Sequence, residues 1–327
     1  MIVTSSPLRI PLGGDGTDVP SYYRDHTGFV ISAAINKYVY ITLHETFGEK
    51  ILLKYSKLEE VQRIEEIKHP IIREALNLVG IDEHPHLEIM SMSDIPPGAE
   101  LGPSGSFTTA LLRALHCLKK NAVSARELAE QACHIELDIL KEPIGKQDQY
   151  IASFGGITCF TFHPDGRVDV EPLRMAPQTV SNLEDNLILF FTGSPRGASA
   201  VVSDESKSKL EDSSMVDNLH FIKQLGYDTK AALESGDLRR FAELMHMQWE
   251  HEQPRPKSSI HHLSNECYEL ARANGALGGK LIGSGGGGFL IFYTEEKTRL
   301  RHAMINAGMR EVRFKFDFGG SQVILQS

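Results

Sequence analysis

Residues 96–110 read Pro-Pro-Gly-Ala-Glu-Leu-Gly-Pro-Ser-Gly-Ser-Phe-Thr-Thr-Ala, and the rest of the 327-residue chain is best read outward from them. The stretch opens as a turn at Pro96-Pro97-Gly98 and runs into the apolar-periodic segment Ala110-Leu111-Leu112-Ala114-Leu115. A glycine-containing loop that feeds the first turn of a helix presents unpaired backbone N–H groups at the positive end of the helix dipole, an arrangement suited to phosphate. Pro103 fits that first turn, where a missing N–H costs nothing. Ser104 and Ser106 add hydroxyls able to cap the helix, touch phosphate or ligate a metal. The spacing matches neither a Walker A loop nor the Rossmann fingerprint. Taken alone, the stretch also reads as an ordinary helix start.

Composition narrows the field. There are 34 Lys and Arg against 43 Asp and Glu, a formal charge of −9, with no long basic run. That argues against a nucleic-acid surface. The four cysteines, Cys117, Cys133, Cys159 and Cys267, are widely spaced and make no C-x-x-C, so they are expected to be reduced and buried. Pro7 and Arg9 precede any useful apolar run, and Leu187 to Phe191 is far too short to span a membrane. A soluble cytoplasmic protein with no membrane association is expected, and a homodimer is left open. The length suits two domains.

Along the chain, β-rich segments at Val30 to Ala34 and Tyr38 to Leu43, broken at Asn36-Lys37, precede a strand at Ile51 to Tyr55. Residues 58–79 show helical spacing interrupted at Pro70. A strand at His86 to Met92 leads into the Pro-Gly loop. Helices are predicted at 104–120 and 124–140, the second with a capping box at Ser124 and Glu127. Gly155-Gly156 opens a strand through Phe162, and His163-Pro164-Asp165-Gly166 is a hairpin turn. After a strand at Asn186 to Thr192, a helical region over 203–253 is expected to break at Gly226 and at Ser235-Gly236-Asp237. A helix at 260–274, two strands around a polyglycine turn, a helix at 295–307 and two strands complete the pattern. The domain boundary falls between 183 and 184.

Three further constellations bear chemistry. In Ser6-Pro7-Leu8-Arg9-Ile10-Pro11-Leu12-Gly13-Gly14-Asp15-Gly16-Thr17-Asp18, a strand with an arginine enters a loop whose carboxylates suit vicinal sugar hydroxyls, or merely make Asx turns. In Gly278 to Ile291, the glycines around Ser284 suggest close approach of backbone to a ligand or another loop. Glu136, in a helix, and Asp148, beyond the break at Pro143, could converge on a metal ion and a reacting hydroxyl; read bare, Glu136 is a solvated helix residue. His246, His251, His261 and His262 lack the spacing of a zinc site.

Three glycine-rich blocks in this order, with an acidic block between the second and third, resemble the GHMP kinase superfamily over essentially the whole chain. Gly-Gly-Asp-Gly-Thr-Asp (13–18), Gly-Lys-Gln-Asp-Gln-Tyr (145–150) and the Gly-Gly-Lys-Leu block at 278–289 are most similar to the bacterial D-glycero-D-manno-heptose 7-phosphate kinases. Fucokinases are the nearest competitor. The resemblance implies an α+β, two-domain fold: a ribosomal protein S5 domain 2-like unit over 1–183, a ferredoxin-like unit over 184–327, and an active site in the cleft between them.

It further implies ATP and Mg²⁺ as cofactors and a small sugar phosphate as substrate. Asp148 and Arg9 take the catalytic positions. Asp15, Gly16, Thr17, Asp18, Arg196 and Gly286 fall to the substrate. Pro97, Gly98, Ala99, Leu101, Gly102, Ser104, Gly105 and Ser106 fall to ATP, and Ser104 with Glu136 to the metal. Two departures stand out: Glu100 where the ATP loop usually has glycine, and Pro103 where it usually has serine. A carboxylate beside a triphosphate repels it, and proline removes a donor, so both bear on how strongly the loop grips the nucleotide.

Overall fold

The computed structural model describes residues 1–81, 86–96, 101–193, 213–252, 259–283 and 288–327. Its first half builds on β1 (Ile2–Gly13) and β2 (Gly28–Glu45), two long antiparallel strands joined through the helix α1 (Pro20–His26). β3 (Ile51–Lys54), β4 (Leu58–Val61) and β5 (Leu87–Ser93) extend the sheet on one side of β2. β6 (Ile157–Phe162) and β7 (Val168–Pro172) add to it through β2 at the other end of that strand. The strand order is β12-β1-β2-β5-β3-β4, where β12 (Gln322–Gln326) returns from the end of the chain to pair with β1. A second, wholly antiparallel sheet has the order β11-β8-β10-β9, from β8 (Leu187–Gly193), β9 (Ala276–Ile282), β10 (Gly288–Thr294) and β11 (Arg310–Val312).

The helices are α2 (Pro70–Val79), α3 (Pro103–Leu118), α4 (Ala125–Cys133), α5 (Gln147–Phe154), α6 (Pro177–Asn186), α7 (Ser213–Ser235), α8 (Leu238–Glu252), α9 (Ser259–Ala273) and α10 (Lys297–Asn306). α3 lays Ala110, Leu111 and Leu115 on Ile41, Leu43 and Ile89 of the first sheet. A larger cluster spans both sheets, bringing Leu8, Ile10, Leu12 and Ile31 together with Leu189, Phe289 and Ile291, and with Leu225 and Phe241 of α7 and α8. Burial of such side chains contributes about 1.5–3 kcal/mol each before entropy is counted. The apolar contact between the two sheets is therefore extensive without any help from charge.

Local chemistry explains where elements begin, and where the pattern misleads. The capping box at Ser124 and Glu127 is fully formed. Asn36 and Lys37 do not end a strand: the register jumps from Pro7↔Tyr38 to Leu8↔Ile35, leaving them as a bulge inside β2. Residues 58–79 are not one interrupted helix but β4, a 3-10 turn at Ile64–Glu66 and α2, which starts at Pro70 because proline is tolerated only in a first turn. The helix expected over 124–140 is α4 followed by a π-helical turn, His134–Ile139. All four cysteines are free thiols; Cys117 is half-buried and the others buried.

Gly226 does not break α7, which runs through it. Instead, a Cβ at Gly226 would lie 3.2 Å from Gly14 Cα, Gly14 N and Phe29 Cδ1, so the helix passes tightly over the loop after β1. That loop has no slack, because Gly14, at φ +81°, is itself pressed against the carbonyl of Phe29. In an open helix, Gly→Ala would stabilise by roughly 1 kcal/mol. Here Gly226→Ala is expected to destabilise by about 1 kcal/mol in urea unfolding, because overpacking outweighs propensity. A more stable variant would show that the loop yields.

Candidate active site

The site forms where β1 meets the first turns of α3 and α5. Arg9 leaves β1 beside Ala34 of β2, and its backbone N–H donates to Leu101 O at 3.0 Å, which docks the approach to α3 against the strand. Its guanidinium grips Asp148 with two bonds, Nε to Oδ1 at 2.7 Å and Nη2 to Oδ2 at 3.2 Å. Such a forked pair fixes the carboxylate's plane as well as its charge. Asp148 lies in the first turn of α5, where the helix dipole also favours an anion.

α3 can come this close only because glycines, Gly102 and Gly105, face Asp148 at its start. A Cβ on Gly102 would stand 3.1 Å from Asp148 Cγ, and one on Gly105 only 2.8 Å from the Asp148 backbone carbon. Gly102 caps the helix at φ +76°, with no side chain covering the N–H groups behind it, and Pro103 takes the first helical position. The start of α3 therefore keeps its anion-attracting end while presenting Asp148 beside it.

Glu136 sits in the π-helical turn and is 1% exposed, not solvated. A π-turn changes the direction of side chains relative to a regular helix, and such turns recur at functional sites. Burial lifts its pKa to about 7 against the opposing bonds from Thr108, Ser104 and Gln149, with nearby Asp148 adding to the rise. The contacts that hold it are neutral hydroxyl and amide groups. Ser104 and Glu136, expected from sequence to share a cation, are thus brought together, and a hard oxygen pair of this kind fits Mg²⁺. No cluster of three or more His, Cys, Asp or Glu side chains with metal-binding geometry occurs among the described residues. Asp138 is exposed and pairs with His134 at 3.0 Å.

The loop after β1 completes the assembly. Asp18 is buried, accepts the Gln147 N–H at 2.9 Å through Oδ2, and feels both Asp148 and Arg9. Gln147 in turn donates to Ser32 Oγ at 3.0 Å. Asp15 meets Lys280 of β9, Nζ to Oδ2 at 2.5 Å, and Gly16 faces Leu219 of α7. Two residues expected at ligands are placed inside the protein instead. The Thr17 hydroxyl is fully buried and engaged by Gly14 O, Phe29 O and Phe29 N, so it braces the loop. The Ser106 hydroxyl is buried against Pro7 O at 2.7 Å and ties α3 to β1. Leu101 is likewise buried, leaving only its backbone to act. Pro97, Gly98, Ala99, Glu100, Arg196 and Gly286 lie outside the described residues. Lys280, Gln147 and Thr108 join the site without a motif of their own, apart from the oddity of a lysine inside an otherwise apolar and glycine-rich strand.

The family model for the GHMP kinases N terminal domain matches residues 63–156, and that for the GHMP kinases C terminal domain matches 229–310. A D-glycero-alpha-D-manno-heptose 7-phosphate kinase of Campylobacter jejuni is 31% identical over 97% of this chain and 96% of its own. The chain belongs to the GHMP kinases. It shares their two-domain fold of mixed helices and sheets, and the activity the family carries, ATP-dependent phosphoryl transfer. A solved D-glycero-D-manno-heptose 1-phosphate kinase from Bacteroides thetaiotaomicron superposes with a TM-score of 0.83 at 25% identity, covering both chains fully. The bifunctional fucokinase/GDP-fucose pyrophosphorylase of Arabidopsis thaliana is 23% identical over 90% of this chain but only 30% of its own. No helix among the described residues is long and apolar enough to cross a membrane.

In this GHMP kinase, burial raises the Asp18 carboxyl from 3.8 to about 6, against its bond from Gln147, with Asp148 adding to the rise. The native state then holds a proton that the unfolded state has lost, so stability falls as pH climbs from about 4 to about 6 and stays lowered above that. Asp18→Asn removes this pH dependence. Its stability relative to the parent is expected to rise by about 1–3 kcal/mol between pH 4 and pH 7.5 in urea unfolding. A difference that does not change with pH would contradict the burial of an ionisable Asp18.

Proposed function

We propose that the protein transfers the γ-phosphoryl group of ATP to the anomeric hydroxyl of D-glycero-D-manno-heptose 7-phosphate, giving the 1,7-bisphosphate, on the way to nucleotide-activated heptose for surface polysaccharide. The observation that carries the chemistry is the forked Arg9–Asp148 pair held against the two glycines, Gly102 and Gly105, at the start of α3. The substrate follows from the heptose 7-phosphate kinase that matches nearly end to end. In this reading the two units of the fold divide at 183/184, inside α6, with β12 returning to the first sheet, and the enzyme acts in the cytoplasm on soluble reactants.

The nucleotide's phosphates lie over the 97–106 loop and the start of α3. Asp148 accepts the proton of the attacking sugar hydroxyl as the new O–P bond forms and the bond to the departing ADP oxygen breaks. Arg9 holds the plane of the Asp148 carboxyl through its two bonds and balances negative charge in the transition state. Asp15 and Asp18 orient the sugar through its hydroxyls. Ser104 and Glu136 would hold Mg²⁺, which supplies neutralisation of triphosphate charge when bound. Positioning and electrostatics are the main demands of phosphoryl transfer, and this set meets them.

Two measurements test the reading. ADP production is expected with heptose 7-phosphate and to be far weaker with fucose; the reverse order would transfer the enzyme to the fucokinase side. Asp148→Asn is expected to lower kcat by about 10²–10⁴-fold while the sugar still raises the melting temperature. Near-normal turnover in that variant would remove Asp148 from the chemistry.

A further inference from the structure

We propose that Lys280 is a positioning residue for sugar recognition: from the second sheet it fixes the Asp15 carboxylate so that its other oxygen accepts a substrate hydroxyl. The inference rests on the sugar-kinase reading above. Lys280 belongs to β9, paired with Ile291 of β10, and its side chain is 1% exposed. Its ammonium reaches across to the loop after β1 and meets Asp15 Oδ2 at 2.5 Å. The two residues are 265 positions apart, so the contact joins the glycine-rich block of the second sheet to the sugar loop of the first.

The other oxygen is the more informative one. Asp15 Oδ1 is buried and has no hydrogen-bond partner among the described residues. A carboxylate oxygen shielded from water and left unpaired is costly, and a native structure keeps such an atom for a reason. The Asp15 side chain as a whole is 26% exposed, so it stands at an opening rather than within the core. A hydroxyl arriving there satisfies an acceptor that is already oriented, with no carboxylate rotation left to freeze.

A purely structural strut accounts for less. The sheets already share a broad apolar cluster, and replacing a buried ion pair by apolar groups is often neutral or stabilising. The backbone around Asp15 is also fixed without Lys280: Gly14 packs on Phe29, Thr17 braces the turn, and α7 covers Gly13 and Gly16 through Thr229 and Leu219. What remains free is the Asp15 side-chain torsion, and that is the degree of freedom the ammonium removes.

The test compares the full-length parent with Lys280→Met and with the double variant Asp15→Asn/Lys280→Met, which leaves no unpaired charge behind. Kinetics are measured with heptose 7-phosphate, alongside thermal melts. Lys280→Met is expected to raise the sugar KM by about 10- to 100-fold, the range for losing a hydrogen bond to a charged group, with the ATP KM within about twofold. The double variant is expected to fold and to show the same sugar KM as the single one, because both lesions act on one contact. A sugar KM unchanged in either folded variant, with only the melting temperature moved, would make the pair a strut and overturn the proposal. If the parent itself phosphorylates no sugar, the kinase reading fails first and the inference falls with it.

Discussion

The forked bond between Arg9 and Asp148 links segments 139 residues apart and decides how the site is built around it. β1 must deliver Arg9 at the level of the α3 cap, and α5 must present Asp148 in its first turn. The first turn of α3 must be bare enough to let both approach. Gly102 and Gly105 meet the last demand, since a methyl group at either would collide with Asp148. The Leu101 carbonyl, bonded to the Arg9 N–H, and the Ser106 hydroxyl, bonded to Pro7 O, lock strand and helix in that relation. The result sets a fixed cation–carboxylate pair beside a helix N-terminus, the two features that proton acceptance and phosphate binding each require.

Much of this was legible in the sequence, for identifiable reasons. Glycines in blocks, a proline at a helix start and carboxylates in loops are local signals, and the order of the blocks carried the family. Arg9 and Asp148 could be named because each stood in such a block. What lay hidden depends on three-dimensional contact. The π-turn that buries Glu136 leaves no mark in the apolar spacing of 124–140. Gly226 looks like a helix breaker unless one knows that Gly14 lies beneath it. Thr17 and Ser106 are chemically suited to ligands, but burial assigns their hydroxyls to backbone partners. Lys280 is a lysine in a β-strand, and only its distance to Asp15 gives it meaning.

The site also shows where stability is given up. Asp18, Glu136 and Lys280 are charged or ionisable groups held out of water, two of them with pKa values driven upward by that burial. Apolar side chains would pack these positions at lower cost. The core clusters that run beneath both sheets carry the difference, so the fold tolerates a concentration of carboxylates at one place. One departure from the usual nucleotide loop lies within the described residues. Pro103 occupies the first helical position, where an N–H has no partner within the helix, so the helix loses no bond there while one free donor toward phosphate is removed.

Arg9 and Asp148, joined by two bonds, are expected to act as one unit. The direct measurement is the single-turnover rate of phosphoryl transfer for Arg9→Gln, Asp148→Asn and the double variant, each at saturating ATP and sugar. If the pair is one device, the double variant is expected to be no slower than the slower single variant, within about twofold. Losses that multiply would show two independent contributions and contradict it.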